Sequence, residues 1–453
     1  MSASRTLAQH RNADFHLLAT EHGPLLLLVD GSQLFQIDEG LEQRLRAAGT
    51  AGRQAARAVL AEAGLGMRRF VDDEPPIDPP VRALSLAVAE RCNLGCTYCY
   101  AEGGSFGGKP RNMEWEVAEA SVVRLFADAS PGERVNLAFL GGEPLVNRSL
   151  IRRATELAVR MARDKRVAVG FSVTTNGTLL NADDGEFFER HGFAVTISLD
   201  GVGATHDRLR PMKGGRGSYA RIIENVKPLL ARQRRMQVSA RVTVTPENLS
   251  LRETLDRFVT LGFSSIGFSP MLRAPSGRGE MGGPALDVLL EEMISCGREY
   301  ERRVLAGESY PFSNMTTALQ EIHRGSHRPY PCGAGAGYFG VSATGGLFAC
   351  HRFVGDEAAA MGNVESGVAR DWQRDWLAER RVDLQEPCRT CWARYLCGGG
   401  CHYEVIHRGR PACDYIRGWL EYVLGAYLRL STTRPDLFDH LGFDRLRQIA
   451  DRG

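Results

Sequence analysis

The cysteine triplet in the stretch RCNLGCTYCYA constrains this chain more than any other feature. Cys92, Cys96 and Cys99 follow a C-x3-C-x2-C spacing. Thiolates this close together can converge on one metal centre, although a closed four-iron cluster normally takes four cysteines. Three cysteines leave one iron with an open coordination position, by the logic that separates catalytic from structural zinc sites. A structural zinc loop or a chance cluster is the alternative.

This spacing resembles that of the radical S-adenosylmethionine (SAM) enzymes. The resemblance implies that Cys92, Cys96 and Cys99 are catalytic and hold a [4Fe–4S] cluster. In that family the open iron chelates the amino and carboxylate groups of SAM. An electron from the cluster then splits the sulfonium and gives a 5'-deoxyadenosyl radical. Tyr98, between the last two cysteines, matches the aromatic residue that packs near the adenine.

Composition narrows the class of protein further. The 453 residues, of which 43% are hydrophobic, are enough for two or three domains with a sizeable core. A formal net charge of +2 gives no argument for a nucleic-acid or anionic membrane partner. The aliphatic run Pro24–Val29 is too short to span a bilayer, and the N-terminus has no secretory h-region. We therefore expect a cytoplasmic protein whose eleven cysteines do not form disulfides.

From residue 83 onward, apolar strands alternate with helical stretches, and this pattern predicts a parallel sheet with right-handed crossovers. The predicted strands are Leu84–Ala89, Val135–Leu140, Gly170–Thr175, Ala194–Leu199, Val238–Thr245 and Ile266–Pro270. The helical stretches between them include Trp115–Ala127, Ser149–Asp164, Gly185–His191 and Tyr219–Arg232. This α/β arrangement fits a partial, TIM-like (β/α)6 barrel, which is the core fold of the radical SAM family.

Active sites of such barrels collect at the carboxyl ends of the strands. Cys92 follows the first predicted strand, and further polar or glycine-rich motifs end the next three. Their resemblance to family motifs implies that they bind SAM; turn formation is the alternative. The candidate SAM contacts are Tyr98, Gly141, Gly142, Glu143, Asn176, Ser198 and Arg241. The segment His206-Asp207-x-x-Arg210 is expected to shape the substrate side of the barrel.

A second group of cysteines lies beyond residue 330, where glycines and turns replace the periodic pattern. The order of these cysteines resembles the SPASM extension of radical SAM enzymes that modify peptides, which carries auxiliary iron–sulfur clusters. The resemblance implies an outer cluster on Cys388, Cys391, Cys397 and Cys413. It implies an inner cluster on Cys332, Cys350 and Cys401. A zinc ribbon from Cys388, Cys391, Cys397 and Cys401 is the alternative, but it leaves three cysteines unexplained.

The expected cofactors are therefore three [4Fe–4S] clusters and SAM. Seven cysteines for two auxiliary clusters leave one inner iron without a cysteine. That iron is either open or filled by His351, His402 or Asp414.

The chain divides into four predicted segments. Residues 1–80 comprise a winged-helix-like, leader-binding α+β domain and a Pro-rich linker, residues 81–325 the radical SAM core, residues 326–420 the SPASM domain, and residues 421–453 a helical tail. An N-terminal extension packed on the barrel is the alternative for the first segment.

Sequence segments that are less specific than the cysteine motifs predict the type of reaction. The run CHRFVG…MGNV and the stretch from Phe106 to Met113 resemble thioether-forming peptide maturases, such as those of ranthipeptides (SCIFF maturases) and of quinohemoprotein amine dehydrogenase. Sulfatase-activating members carry an acidic base directly after the cysteine equivalent to Cys350, where this chain has His351. We therefore expect a thioether-forming maturase of a Cys-containing precursor peptide or small protein subunit.

The expected electron donor is a flavodoxin or ferredoxin. Two alternatives stay open at the level of sequence. One is a maturase that forms carbon–carbon crosslinks or epimerises residues, and the other is a non-catalytic iron–sulfur or zinc scaffold that binds a partner.

Overall fold

The first part of the chain forms a small α+β unit. The computed structural model describes residues 14–21, 23–65 and 76–439. Three antiparallel strands in chain order precede two helices, and their bounds are β1 (Phe15–Thr20), β2 (Gly23–Leu28), β3 (Gln33–Gln36), α1 (Glu39–Ala51) and α2 (Arg53–Glu62). Asp38 caps α1 by accepting a hydrogen bond from the Leu41 N–H at 2.7 Å. Because side chains alternate along β2, Leu26 packs with α1 and α2 whereas Leu27 joins the main core.

Alternating strands and helices follow, and they confirm the predicted partial barrel. In chain order the elements are β4 (Ala83–Ala89), α3 (Trp115–Ala127), β5 (Arg134–Gly141), α4 (Arg148–Lys165), β6 (Ala168–Thr175), α5 (Ala182–His191), β7 (Ala194–Ser198), α6 (Ala204–Leu209), α7 (Tyr219–Arg232), β8 (Gln237–Val244), α8 (Leu251–Leu261) and β9 (Ser265–Pro270). Strands β4 to β9 are parallel and lie side by side in chain order. The carboxyl ends of these strands therefore meet at one end of the barrel.

The rest of the described chain is a helical and cysteine-rich region. Its elements are α9 (Gly283–Leu305), α10 (Ser313–His323), β10 (Tyr338–Val341), β11 (Gly346–Phe348), β12 (Ala360–Asn363), β13 (Gly367–Val368), α11 (Arg370–Arg380), α12 (Arg394–Cys397), α13 (His402–Arg408), α14 (Cys413–Thr433) and α15 (Asp436–Asp439). Strand β10 pairs in parallel with β4, and β11 to β13 continue as an antiparallel extension. The barrel sheet thereby grows to ten strands, a join that the sequence pattern did not predict. This pairing covers the edge of β4, which would otherwise present unpaired backbone groups.

The predicted domain boundaries stay predictions. The sheet is continuous across the predicted boundary at 325/326, and α14 runs through the one at 420/421. Part of the predicted Pro-rich linker and residues 440–453 lie outside the described residues. Among the described residues, no helix has the length and apolar character needed to cross a membrane.

The N-terminal α+β unit packs against the cysteine-rich region. The His16 ring stacks on Trp392 with centroids 4.0 Å apart, and its Nε2 lies 3.1 Å from a Glu421 carboxylate oxygen. On the next turn, the Gly31 N–H donates to His327 Nδ1 at 3.2 Å, and the His327 ring stacks on Tyr395. One face of the unit's sheet is therefore part of the main core.

We expect Leu27→Ala to loosen this contact and Leu26→Ala to spare it, because the two side chains lie on opposite faces of β2. Each truncation should cost about 2–5 kcal/mol of unfolding free energy. Hydrogen exchange measured by mass spectrometry should accelerate in α14 for Leu27→Ala and in α1 and α2 for Leu26→Ala. Equal protection of α14 in both variants would contradict the packing described here.

Candidate functional site

The first cysteine group lies in a loop, residues 90–101, directly after β4; we call it the cluster loop. Residues 209–213 form backbone hydrogen bonds with the cluster loop and thereby hold its conformation. The Gly95 N–H donates to the Pro211 carbonyl at 2.8 Å. The loop is thus held by backbone hydrogen bonds to a segment distant in sequence, which lets it present its thiols from a defined backbone.

Gly141 and Gly142, which end β5, permit a very close approach of the cluster loop. The Gly142 N–H donates to the Ala89 carbonyl at 2.7 Å. A Cβ atom at Gly142 would lie 2.4 Å from Arg91 O, and one at Gly141 would lie 2.3 Å from Ala89 O. Gly141 also has φ of +152°, which disfavours other residues. The sequence analysis gave Gly141 and Gly142 as candidate SAM contacts. In the structure these two glycines lie against the backbone at Ala89 and Arg91.

The Glu143 carboxylate joins the ends of strands β5 and β6. This buried carboxylate accepts hydrogen bonds from the Leu145 N–H at 3.0 Å, the Thr175 hydroxyl at 2.7 Å and the Asn176 N–H at 2.8 Å. Burial raises the pKa of Glu143, while these three donors act in the opposite direction. The carboxylate thereby fixes Asn176 at the end of β6.

Asn176 in turn reaches the cluster loop. Its Nδ2 donates to Asn93 Oδ1 at 2.9 Å and lies 3.7 Å from Cys92 Sγ. The Leu94 N–H also points at this sulfur, at 3.4 Å. Two N–H donors on one sulfur favour the thiolate, which is the form that binds metals.

The positive charge of Arg210 acts to lower the pKa of the Cys92 and Cys96 thiols. Burial raises the pKa of Cys96 to about 12, and the Arg210 guanidinium acts against this rise. Burial likewise raises the pKa of Cys92, again opposed by Arg210. Arg210 Nη1 lies 3.2 Å from the buried carboxylate of Asp200 and donates to the Tyr98 hydroxyl at 3.1 Å. The guanidinium therefore links the cluster loop to the end of β7.

The rest of the His206-Asp207-x-x-Arg210 motif supports this arginine. His206 Nδ1 accepts from the Asp200 N–H at 3.1 Å, and its Nε2 lies 3.0 Å from the Ser218 hydroxyl. That hydroxyl donates to the Arg210 carbonyl at 2.6 Å. Burial lowers the pKa of His206 to about 3, so the ring is neutral and suits this pattern. The Asp207 carboxylate accepts from the Ser218 N–H at 2.7 Å and thereby anchors the loop that precedes α7.

The remaining predicted SAM contacts lie in two places, one beside the cluster loop and the other on strands β7 and β8. Tyr98 is buried beside Leu209 and Met271, next to the cluster loop. Ser198 is the last residue of β7 and pairs in register with Arg241 on β8. The Arg241 side chain lines a cavity that α10 closes, and among the described residues it has no hydrogen bond or ion pair to the cluster-loop side of the barrel.

The later cysteines fall into two groups. Cys332, Cys350 and Cys401 form one: burial raises the pKa of Cys350 to about 12, and negative charge on the other two acts in the same direction. The second group shares a small cavity of about 50 Å³ and consists of Cys388, Cys391, Cys397 and Cys413. Burial raises the pKa of Cys388 to about 11, and charge on its three partners adds to this. Cys401 also lines this cavity, so the two groups are neighbours.

Aromatic and charged side chains connect the cluster loop with the inner group. The Tyr100 ring meets the His351 ring edge-on at 5.9 Å, and the Tyr338 hydroxyl lies 2.7 Å from His351 Nδ1. Arg352 lies over Tyr100 at 5.8 Å, and its Nη1 is 3.7 Å from Cys401 Sγ. The predicted inner and catalytic groups are thus bridged through protein side chains.

The three residues considered as a fourth inner ligand occupy different surroundings. His351 is engaged by Tyr338, and Asp414 is exposed and paired with Arg417. His402 is buried beside Trp376, with no hydrogen-bond partner for its Nε2 among the described residues. Burial lowers the pKa of His402 to about 4, and the positive charges of Arg380 and Arg410 lower it further.

The donor set fits iron–sulfur clusters. In such clusters each cysteine binds its own iron, and the thiols occur here in groups of three, three and four. Within the described ranges, no three His, Cys, Asp or Glu groups are close enough to hold a single metal ion. The buried Nε atoms of Arg210 and Arg352, one beside each three-cysteine group, have no hydrogen-bond partner in the described structure. They provide donors for anionic groups bound there.

Sequence reasoning missed the positions of Arg210 and Arg352. The signal for Arg210 was present, because a buried Asp200 at a strand end followed by His206-Asp207-x-x-Arg210 predicts a paired arginine. The signal for Arg352 was its place two residues after Cys350. Neither signal states which cysteine the guanidinium approaches, because that depends on loop packing.

Comparison with known protein sequences finds one matching family and several relatives. Residues 86–259 match the family described as Radical SAM superfamily. A serine-type anaerobic sulfatase-maturating enzyme of Klebsiella aerogenes is 26% identical over 354 residues, covering 76% of this chain and 85% of that enzyme. A cysteine-type anaerobic sulfatase-maturating enzyme of Clostridium novyi is 34% identical over 160 residues, covering 33% of this chain and 41% of that enzyme.

Two solved structures share the fold. The anaerobic sulfatase-maturating enzyme anSMEcpe, solved with bound AdoMet, superposes with a TM-score of 0.66 at 19% identity, covering 80% of this chain and 99% of that one. SuiB of Streptococcus suis, bound to S-adenosylmethionine, superposes with a TM-score of 0.53 at 15% identity, covering 88% and 97%. Residues 86–259 therefore form a radical SAM domain, and the chain is similar over most of its length to anaerobic sulfatase-maturating enzymes.

Proposed function

We propose that this protein is a radical SAM maturase that modifies a ribosomally made peptide or a small protein subunit. The observation that carries the proposal is the cluster loop, where three half-buried thiols lie at the carboxyl end of the barrel and Arg210 acts on two of them, Cys92 and Cys96. A four-iron cluster with bound SAM supplies, when present, a carbon radical that removes hydrogen from a substrate carbon. The maturing relatives and a SuiB structure with a bound precursor peptide support a peptide as the substrate.

The chain's own residues position and shield this chemistry. Cys92, Cys96 and Cys99 would hold the catalytic cluster, and Arg210 would balance its charge and donate to the SAM carboxylate through Nε. Glu143 keeps Asn176 and the cluster loop in register. Tyr98, packed with Leu209 and Met271, would exclude water beside the adenine.

Two auxiliary four-iron clusters would occupy the later cysteine groups. Cys388, Cys391, Cys397 and Cys413 are proposed for the outer one, and Cys332, Cys350 and Cys401 for the inner one. Arg352, at 3.7 Å from Cys401 Sγ, would stabilise negative charge at the inner site. Hydrogen bonds to cluster sulfurs raise the reduction potential and so favour acceptance of an electron from the substrate.

For the reaction itself we propose thioether formation between a substrate cysteine and a carbon of the same peptide. His351, rather than an acid, follows Cys350, and it is engaged by Tyr338. The second candidate is oxidation of a cysteine or serine residue, since relatives are named serine-type and cysteine-type sulfatase-maturating enzymes. Two-electron oxidation of the carbon that bears the hydroxyl or thiol, with loss of sulfur in the second case, would leave an aldehyde. The similarity to sulfatase-maturating enzymes over 76% of this chain favours this second reaction. A neutral His351 could act as the base that accepts a proton, the role that a carboxylate has in those enzymes. Burial lowers the pKa of His351 to about 4.

The cofactor assignment is tested by iron content. After anaerobic reconstitution we expect about 12 iron atoms per chain, and about 8 in the Cys92→Ala/Cys96→Ala/Cys99→Ala variant. This variant should form no 5'-deoxyadenosine. Cys296→Ala is the matched control, because this buried cysteine lies in α9 away from both groups, and it should keep all the iron. Formation of 5'-deoxyadenosine by the triple variant would contradict the catalytic role of the cluster loop.

The role of Arg210 is tested by SAM binding. Arg210→Gln removes the charge that faces the thiols and the free Nε donor, so we expect at least about tenfold weaker SAM binding. Arg208→Gln is the control: this arginine lies two residues earlier, in α6, is exposed and donates to the Ala204 carbonyl. Calorimetry on both reconstituted variants checks this. Equal SAM affinity in the two variants would assign Arg210 a purely structural role.

The two reactions are separated by their products. A thioether removes a free thiol from the peptide and leaves no aldehyde, whereas oxidation of cysteine or serine leaves an aldehyde that hydrazide reagents capture. We expect a Cys-containing precursor peptide, after incubation with enzyme, SAM and reductant, to lose alkylatable thiol without hydrazide capture. Hydrazide capture would instead establish the sulfatase-maturase type of reaction.

A further inference from the structure

A cavity of about 260 Å³ lies between strand β8 of the barrel and the C-terminal region. Its walls come from β8, from α10 and from residues of α12 and α14. Its polar lining consists of Arg241, Ser313, Asn314, Thr317, Glu321 and Arg328. The maturation chemistry proposed above does not use these side chains.

Arg241 is the one guanidinium in this lining without a partner in the described structure. It points from the middle of β8, between Ser198 on β7 and Gly267 on β9. Gly267 leaves the room it needs, since a Cβ atom there would lie 3.2 Å from Arg241 Nη1 and 2.7 Å from Ser313 Oγ. The Arg241 side chain is exposed, so a ligand can reach it, and no acid or thiol contributes to the pKa of its guanidinium.

The neighbouring polar groups are already engaged elsewhere. Asn314 bonds the Phe268 backbone at both its N–H and its carbonyl, at 2.8 and 2.9 Å. Ser313 donates to the Ile266 carbonyl at 2.9 Å. Glu321 accepts from the Ser326 hydroxyl at 2.5 Å and lies 3.9 Å from exposed Arg324. The Glu321 carboxylate of this lining is therefore engaged by Ser326 and Arg324, and the Arg241 guanidinium has no acceptor in the described structure.

We propose that this cavity binds a carboxylate of the substrate peptide, the side chain of an Asp or Glu residue, through the Arg241 guanidinium. The inference rests on the proposed peptide substrate and names a feature that the peptide must carry. Arginine suits this task because its planar fork binds a carboxylate with two parallel hydrogen bonds. A carboxylate held on β8 would also fix the peptide relative to the end of the neighbouring strand β7, which Asp200 follows.

This assignment replaces the SAM carboxylate as the expected partner of Arg241. Arg210 lies beside Cys96 and Asp200, whereas Arg241 faces α10. The two arginines therefore belong to different parts of the barrel, and their substitution should have separable effects.

The test uses the full-length reconstituted enzyme with SAM and two synthetic peptides of Gly and Ser with one Cys. One peptide carries a Glu and the other carries Gln in its place. Calorimetry should show that the Glu peptide binds at least about tenfold more tightly than the Gln peptide. Arg241→Gln should abolish this preference, Arg241→Lys should retain part of it, and Arg163→Gln, an exposed arginine on α4, should keep all of it.

SAM affinity of Arg241→Gln should equal that of the unaltered enzyme, which also shows that the variant is folded. Equal or absent binding of the two peptides by the unaltered enzyme would overturn the proposal. Weaker SAM binding by both Arg241 variants would assign the residue to SAM instead. Formation of 5'-deoxyadenosine in the same preparation separates the outcomes: without it the proposed function fails, and with it only the carboxylate site fails.

Discussion

The contact between the cluster loop and the glycines at the end of β5 is the constraint on which the rest of the site depends. Gly142 meets the Arg91 backbone so closely that any side chain there would displace the loop. This contact puts Cys92 next to Asn176, which Glu143 holds at the end of the neighbouring strand. Backbone packing therefore positions the thiols of the cluster loop.

Charge compensation is the second organising feature. Ten thiols in two regions must become thiolates to bind iron, and burial opposes this at most of them. Arg210 and Arg352 each bring a buried guanidinium to one three-cysteine group, and each keeps an Nε donor free in the described structure. Asp200 and Glu404 pair with these arginines and hold them in place. The same arrangement thus recurs at the catalytic group and at the inner auxiliary group.

The C-terminal region is built into the barrel. Strand β10 pairs with β4, the strand that leads into the cluster loop, and the N-terminal unit packs on the cysteine-rich region from outside. His351 and Arg352 consequently lie within ring contact of Tyr100. Arg241 and α10 enclose the cavity on the same side, so a bound peptide would lie between the barrel and the auxiliary clusters.

The sequence by itself determined the class of this protein and most of its barrel. The C-x3-C-x2-C spacing and the alternation of apolar strands with helices are local patterns, and all six predicted strands lie within two residues of β4 to β9. What the tertiary structure decided are relations between segments far apart in sequence: Arg210 beside Cys96, Arg241 facing α10 instead of the cluster loop, and β10 against β4. Spacing shows which residue types are present. Which of them meet is set by strand register and by the close packing that glycines such as Gly142 permit, and these exist only in the folded chain.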